Sequence, residues 1–168
     1  MKPEKIRYWV LDVDGTLTDG GVYYDEAGNE MKKFHVKDGA GIKIARAAGM
    51  KVIVLTGRQC EATKRRMEEL QIDYLFQNIK NKAEFLRLFF GDNGIDGNEV
   101  GYIGDDLNDL AAMKLTGFSA CPADACNEVK GCVHYISPLK GGCGAVREIM
   151  EHVMKQSGEW EKAVLGIC

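Results

Sequence analysis

Trp9-Val10-Leu11-Asp12-Val13-Asp14-Gly15-Thr16-Leu17-Thr18 is the stretch whose reading decides the fold. The apolar run through Ile6, Tyr8, Trp9, Val10, Leu11 and Val13 reads as a buried β-strand. Two aspartates close it at i and i+2, followed by Gly15 and Thr16. A carboxylate at the end of a central strand is expensive to bury unpaired. Two of them at one strand end repel each other, so a cation belongs between them. Mg²⁺ suits the place, because it prefers carboxylate and phosphate oxygens. A carboxylate beside such an ion can attack phosphorus and form an aspartyl-phosphate. Its neighbour two residues on can carry protons. Read alone, the same letters also describe a strand followed by an Asx/Gly turn.

The rest of the composition narrows the class. A chain of 168 residues suggests one domain over residues 1–168, with room for a sizeable core. The net charge is −3 and no Lys/Arg stripe dominates, which argues against a nucleic-acid partner. No apolar run reaches the length of a membrane span. Met1-Lys2-Pro3-Glu4-Lys5 leads into the first strand without a signal-peptide core, so the cytoplasm is the expected location. Cys60, Cys121, Cys126, Cys132, Cys143 and Cys168 form no C-x-x-C pair and are expected to be free thiols. A zinc site from Cys121, Cys126, Cys132 and His134 is conceivable, but its spacings are irregular.

Strands and helices alternate along the chain. Val22-Tyr23-Tyr24 and residues 30–34 flank a Gly28-Asn29 turn and predict a hairpin, too small to be stable alone and expected to pack on something else, such as another subunit. Asp38 is placed to N-cap a helix over residues 40–48, with Gly49 as its stop. Residues 51–55 read as a buried parallel strand ending in Thr56-Gly57-Arg58. Further helices are expected at 60–70 and 82–90, and strands at 75–77, 100–103, 118–120 and 135–136. Val146, Ile149, Met150 and Val153 mark the apolar stripe of a last helix. This order predicts an α/β fold: a Rossmann-like parallel sheet between two helix layers. Ligands bind such sheets at the carboxyl ends of the strands. The polar clusters Asp12/Asp14, Thr56/Arg58 and Asp105/Asp106 fall at those ends.

Phosphoryl transfer needs this mixture of groups, because charge on the transferring group must be neutralised and the rest is positioning. Asp12 would attack phosphorus, and Asp14 would protonate the leaving oxygen and then activate water. The Thr56 hydroxyl and Lys82 ammonium would hold phosphoryl oxygens. Asp105 would complete the metal shell, with Asp106 or Asp109 behind it. Each residue has a plainer reading: Thr56-Gly57 as strand-end punctuation, Lys82 as a solvated charge, Asp105 and Asp109 as helix-start acids. Their joint placement at consecutive strand ends favours chemistry.

Asp-x-Asp-Gly-Thr, Leu-Thr-Gly, a lysine and Gly-Asp-Asp-x-x-Asp, in that order, resemble the haloacid dehalogenase superfamily of phosphatases over nearly the whole chain. Neither the 14–38 nor the 56–82 interval has room for a second core, so the resemblance implies that fold with a protruding β-hairpin and no cap domain. The layout is similar to the 3-deoxy-D-manno-octulosonate 8-phosphate phosphatase family, an uncapped group that forms tetramers. Gly20-Gly21-Val22 through Glu30 to Phe34, His35-Val36-Lys37-Asp38-Gly39, Thr56-Gly57-Arg58, Gly104-Asp105-Asp106-Leu107-Asn108-Asp109 and Gly144-Ala145-Val146-Arg147-Glu148 carry that likeness. It implies Mg²⁺ held by Asp12, Asp105 and the Asp14 backbone carbonyl. It implies a sugar acid phosphate bound around Asp14, His35, Val36, Lys37, Asp38, Gly39, Lys43, Gly57, Arg58, Arg66 and Lys82. Basic residues suit a substrate bearing both phosphate and carboxylate.

Cys143, Lys37 and Lys43 stand where the family often carries Arg. Arg58 favours the eight-carbon substrate over a nine-carbon 2-keto-3-deoxy acid phosphate (KDN type), whose phosphatases tend to carry an acidic residue after Thr-Gly. Trp160, Val164, Leu165 and Ile167 near the terminus suggest an exposed tail docking on a neighbouring subunit. Three rivals fare worse. A signalling receiver would need its acceptor Asp on a middle strand. A non-catalytic oligomerisation module would not need the intact Asp12/Asp14 pair. A mutase of this superfamily would usually have a cap.

Overall fold

Eight short strands and seven helices make up a computed structural model that describes residues 6–166. Expectations for Met1 to Lys5, Ile167 and Cys168 lie outside the described residues. In chain order the elements are β1 (Tyr8–Leu11), β2 (Tyr23–Tyr24), β3 (Glu30–Met31), α1 (Val36–Ala47), β4 (Lys51–Leu55), α2 (Glu61–Glu69), β5 (Tyr74–Phe76) and α3 (Lys82–Asn93). They continue with β6 (Val100–Ile103), α4 (Leu107–Met113), β7 (Phe118–Cys121), α5 (Asn127–Lys130), β8 (Tyr135–Ile136), α6 (Ala145–Ser157) and α7 (Trp160–Leu165).

Six strands form one sheet in the order β5-β4-β1-β6-β7-β8, every pair parallel. β1 is central, with Leu11 opposite Val54 on one side and Ile103 on the other. From β1 the chain builds outward to β5, then crosses back to β6. Strand order therefore reverses beside β1, which opens a crevice at its carboxyl end. Asp12, Thr56 and Gly104 are the next residues after β1, β4 and β6, so the fold delivers all three to that crevice.

Alternation along β1 splits the core. Trp9, Leu11 and Val13 belong to the apolar layer shared with α1, α6 and α7. Val10 belongs to the layer shared with α3, α4 and α5. Burial on both faces is why these strands read as unbroken apolar runs. Gly101 on β6 is small for a local reason: a Cβ there would sit 2.6 Å from the Trp9 ring.

Two expectations are corrected. α1 starts at Val36 with His35 as its N-cap, earlier than expected, and Asp38 lies inside its first turn. The Asp38 carboxylate instead accepts from the amides of Arg147 (2.9 Å) and Gly144 (3.3 Å) and so caps α6. α6 opens on Gly144 at φ +102, which has no side chain to cap its own helix, so the acceptor comes from a distant turn. The terminal stretch is also not a free tail. Residues 160–165 form α7, and Trp160 is buried on α1 and α6 beneath the Arg147 guanidinium, 4.5 Å from the ring centroid. Of the apolar residues of α7, Trp160 and Ala163 are buried, Val164 is half-buried and Leu165 is 80% exposed.

The hairpin forms as expected, with Tyr23 opposite Met31 and Tyr24 opposite Glu30. Its turn is closed by Asp25, whose carboxylate accepts from the Asn29 amide at 2.7 Å. Val22, Tyr23, Tyr24 and Met31 are exposed on it.

If α7 is part of the core, Trp160→Ala should lower the unfolding free energy by about 3 kcal/mol in denaturant titration. A loss below about 1 kcal/mol would leave α7 energetically detached.

Candidate active site

At the crevice Asp12 is 4% exposed, its amide donating to the Ile103 carbonyl at 3.0 Å. Lys82 opens α3, which Asn81 caps by accepting from the Glu84 amide. That start aims the Lys82 ammonium inward, 2.8 Å from Asp12 Oδ1 and 2.7 Å from Asp109 Oδ1. Asp109 belongs to the capping box that begins α4, with Asp106 as its partner. Its Oδ1 also accepts from the Tyr102 hydroxyl at 2.6 Å. Its Oδ2 accepts from the amides of Asp105 (3.1 Å) and Asp106 (3.4 Å). Asp105 accepts from the Thr16 hydroxyl at 3.0 Å. Gly15, at φ +84, lets the loop after β1 reach this cluster, because a Cβ there would overlap the Asp105 carboxylate.

Charge is out of balance here. Burial, then repulsion from Asp109, pushes the Asp12 carboxyl up to about 8 despite Lys82. The same two causes push Asp105 up to about 7. Burial alone would lower the Lys82 ammonium, but Asp12 and Asp109 outweigh it and hold it above its usual value. Asp12, Asp105 and Asp109 each bring one carboxylate oxygen within 4.8 Å of the others. Asp109 is saturated by four donors. Asp12 and Asp105 keep acceptor capacity, and a divalent ion between them would remove the repulsion that raises both. The residues fit Mg²⁺, with Asp109 bracing the site from behind.

The other expected residues divide. Thr56 is buried; its Oγ1 accepts from the Arg58 amide at 3.2 Å, which leaves the hydroxyl proton to donate. Asp14 is half-buried and its Oδ1 is paired with the Lys32 ammonium from β3's continuation. Lys32 also pairs with Glu30 at 2.8 Å, and Glu30 with Arg58 at 3.1 Å. The hairpin therefore folds onto the crevice of its own chain, and Lys32, Glu30 and Tyr102 are site residues that the sequence reading missed. Their link to Asp14 and Asp109 is purely tertiary, with no spacing to betray it.

His35 stands at the N-cap position of α1 without a side-chain capping bond, its Nδ1 is buried with no partner among the described residues, and Val36 and Lys37 are exposed beside it. Gly39 lies against the Arg66 guanidinium, and a Cβ there would sit 2.5 Å from it and displace it. Asp38 is turned away towards α6, as described above. Lys43 is not brought to the crevice: α1 runs back along the sheet, and Lys43 lines a cleft with Arg46, Lys51 and Asp73 near the strands' amino ends. The zinc set does not assemble. The His134 ring accepts from the Ser119 amide at 3.0 Å, and among the described residues only Asp12, Asp105 and Asp109 gather as three potential ligands. The five described cysteines are free.

Comparison with known proteins meets this geometry. The family model of haloacid dehalogenase-like hydrolases matches residues 9–80 and 74–149. The 3-deoxy-D-manno-octulosonate 8-phosphate phosphatase of Haemophilus influenzae is 37% identical over 158 residues, covering 94% of this chain and 88% of its own. The chain belongs to the haloacid dehalogenase-like hydrolases, in the 3-deoxy-D-manno-octulosonate 8-phosphate phosphatase family. Two solved structures of this family superpose closely. The Moraxella catarrhalis enzyme, in complex with magnesium, phosphate and KDO, gives a TM-score of 0.94 at 33% identity, over 99% of this chain and 96% of that one. A cobalt-bound form from H. influenzae gives 0.91 at 35%, over 98% and 99%. The chain places an α/β sheet beneath an acidic crevice, and no helix among its described residues is long and apolar enough to cross a membrane.

The raised carboxyls set a pH test. Free in the unfolded chain they titrate near 3.8, so the metal-free fold holds protons that unfolding releases. The associated stability is full below that value and is lost as pH rises through about 7 and 8. Without divalent ion the Tm should therefore fall from pH 5 to pH 8. Added Mg²⁺ should raise it more at pH 8, by the equivalent of about 2.7 kcal/mol at a hundredfold excess over Kd. An equal or larger Mg²⁺ effect at pH 5 would contradict this electrostatic account.

Proposed function

We propose that the chain, taken over residues 1–168 as one phosphatase unit, is a Mg²⁺-dependent phosphoric monoester hydrolase. Its substrate is 3-deoxy-D-manno-octulosonate 8-phosphate, released as the free sugar acid and inorganic phosphate. The observation that carries the reading is a buried Asp12 braced by Lys82 at the strand-order reversal, in a chain whose relatives are named for that activity.

In this reading Asp12 is the nucleophile. Its free carboxylate oxygen bonds to phosphorus as the P–O ester bond breaks. Asp14 gives its proton to the departing sugar oxygen. The deprotonated Asp14 then takes a proton from water, whose oxygen displaces Asp12 and frees phosphate. Thr56, through its free hydroxyl proton, and Lys82 hold the phosphoryl oxygens. Asp12, Asp105 and the Asp14 backbone carbonyl would hold Mg²⁺, which when bound neutralises charge on the phosphoryl group. Arg58, at the rim with 44% of its side chain exposed, is the best-placed partner for the sugar carboxylate. Gly57 and the start of α1 at His35, Val36 and Lys37 would form the adjoining wall, with Asp38 holding that turn to α6 and Arg66 lying against Gly39.

The family resemblance and the uncapped crevice support a tetramer as the working assembly. Val22, Tyr23, Tyr24 and Met31 lie on the exposed hairpin, where a second copy would cover them. The reducing cytoplasm suits an enzyme carrying free thiols at Cys60, Cys121, Cys126, Cys132 and Cys143.

Among phosphorylated sugar acids with Mg²⁺, phosphate release should be fastest for the eight-carbon 8-phosphate. Asp12→Asn should lower kcat by at least about 10³-fold with an unchanged circular dichroism spectrum. Near-normal turnover in that variant would remove Asp12 from the nucleophile's role. Light scattering should return four times the 18.6 kDa chain mass, and an active monomer would defeat the tetramer.

A further inference from the structure

Lys32 is the least expected charge near the crevice. Its side chain is 2% exposed, although it comes from a two-stranded hairpin whose other side chains mostly face water. The ammonium lies between Asp14 and Glu30, and Glu30 is held on its far side by Arg58. Two cations and two carboxylates thus run in a row from the catalytic loop to the end of β4. A buried lysine costs both solvation and side-chain freedom, so this one is retained only because both neighbours are anions.

Asp14 needs that support. It stands on the loop after β1, half-buried, and among the described residues Lys32 is the one cationic group paired with its carboxylate. Asp12 is fixed by Lys82, the first residue of a helix packed on the sheet, whereas Asp14 is fixed by a residue of the separate hairpin. We propose that Lys32 is a positioning residue for Asp14, and that the hairpin completes the acid/base half of this chain's own site besides any part in assembly. The inference rests on the assignment of Asp14 as the group that protonates the leaving oxygen.

A purely architectural Lys32 would tie the hairpin down and affect all substrates alike. A positioning role has a distinct signature, because an alkoxide leaving group needs a proton and a dinitrophenolate does not. The test compares kcat/KM, which reports the step that breaks the ester bond, for a primary alkyl phosphate and for 2,4-dinitrophenyl phosphate. Lys32→Met should lower the alkyl value by about 100-fold and the dinitrophenyl value by less than about threefold. Glu30→Gln loosens the hairpin but leaves Lys32 beside Asp14, and should lower both values by one common factor. That variant also carries the test if Lys32→Met fails to fold: a leaving-group split in Glu30→Gln would assign the effect to the hairpin and overturn the proposal. Equal losses on both substrates in Lys32→Met, or no loss, would overturn it too. Asp14→Asn separates the two levels. If it lacks the split, the assignment of Asp14 is wrong; if it has the split and Lys32→Met does not, only the role of Lys32 fails.

Discussion

The Lys82 ammonium sits almost without water between Asp12 and Asp109, at 2.8 and 2.7 Å, and the rest of the site depends on it. Three buried charges gathered in this way tolerate no missing partner, since removing one from a buried pair costs about 3–5 kcal/mol. The trio also joins the end of β1, the first residue of α3 and the first turn of α4. Those elements are neighbours only because the sheet orders β4, β1 and β6 side by side. A charge cluster and a strand order therefore specify each other.

Asp109 shows how the arrangement remains affordable. Its two oxygens take four donors: an ammonium, a phenol hydroxyl and two amides. A fully satisfied carboxylate is a fixed negative charge that cannot reorient. It orients Lys82, and Lys82 in turn holds Asp12 facing the crevice. The cost appears at Asp12 and Asp105, whose carboxyls are driven up by burial and by Asp109. That imbalance is what a divalent ion relieves, so affinity for metal and strain in its absence have one origin.

Much of this was legible in the sequence, for definable reasons. The sheet was readable because strands buried on both faces carry unbroken uncharged, largely apolar runs, as Val52 to Leu55 and Val100 to Ile103 do. The acidic residues were readable because they interrupt such runs at strand ends. Asp38 was misread because an acid before a helix satisfies the local capping rule equally well when its carboxylate serves a different helix more than a hundred residues away. Trp160 was taken as exposed because a short terminal segment gives no periodicity from which burial can be inferred; its partners are on α1 and α6. Lys32 gave no signal at all, since only the hairpin's curl over the crevice brings it to Asp14. Lys43 followed the family pattern, but its position along α1 carries it towards the other end of the sheet.

With no cap domain over the crevice, the burden of precision falls on the supports of Asp12 and Asp14, from Lys82 and from the hairpin. The central claim is that Asp12, braced by Lys82, meets phosphorus with a divalent ion at its side. Crystals grown with Mg²⁺ and vanadate test it most directly. The account predicts the ion between the Asp12 and Asp105 carboxylates and the vanadium in line with an Asp12 oxygen, with Lys82 still on Asp109. An ion bound elsewhere, or vanadate seated away from Asp12, would contradict it.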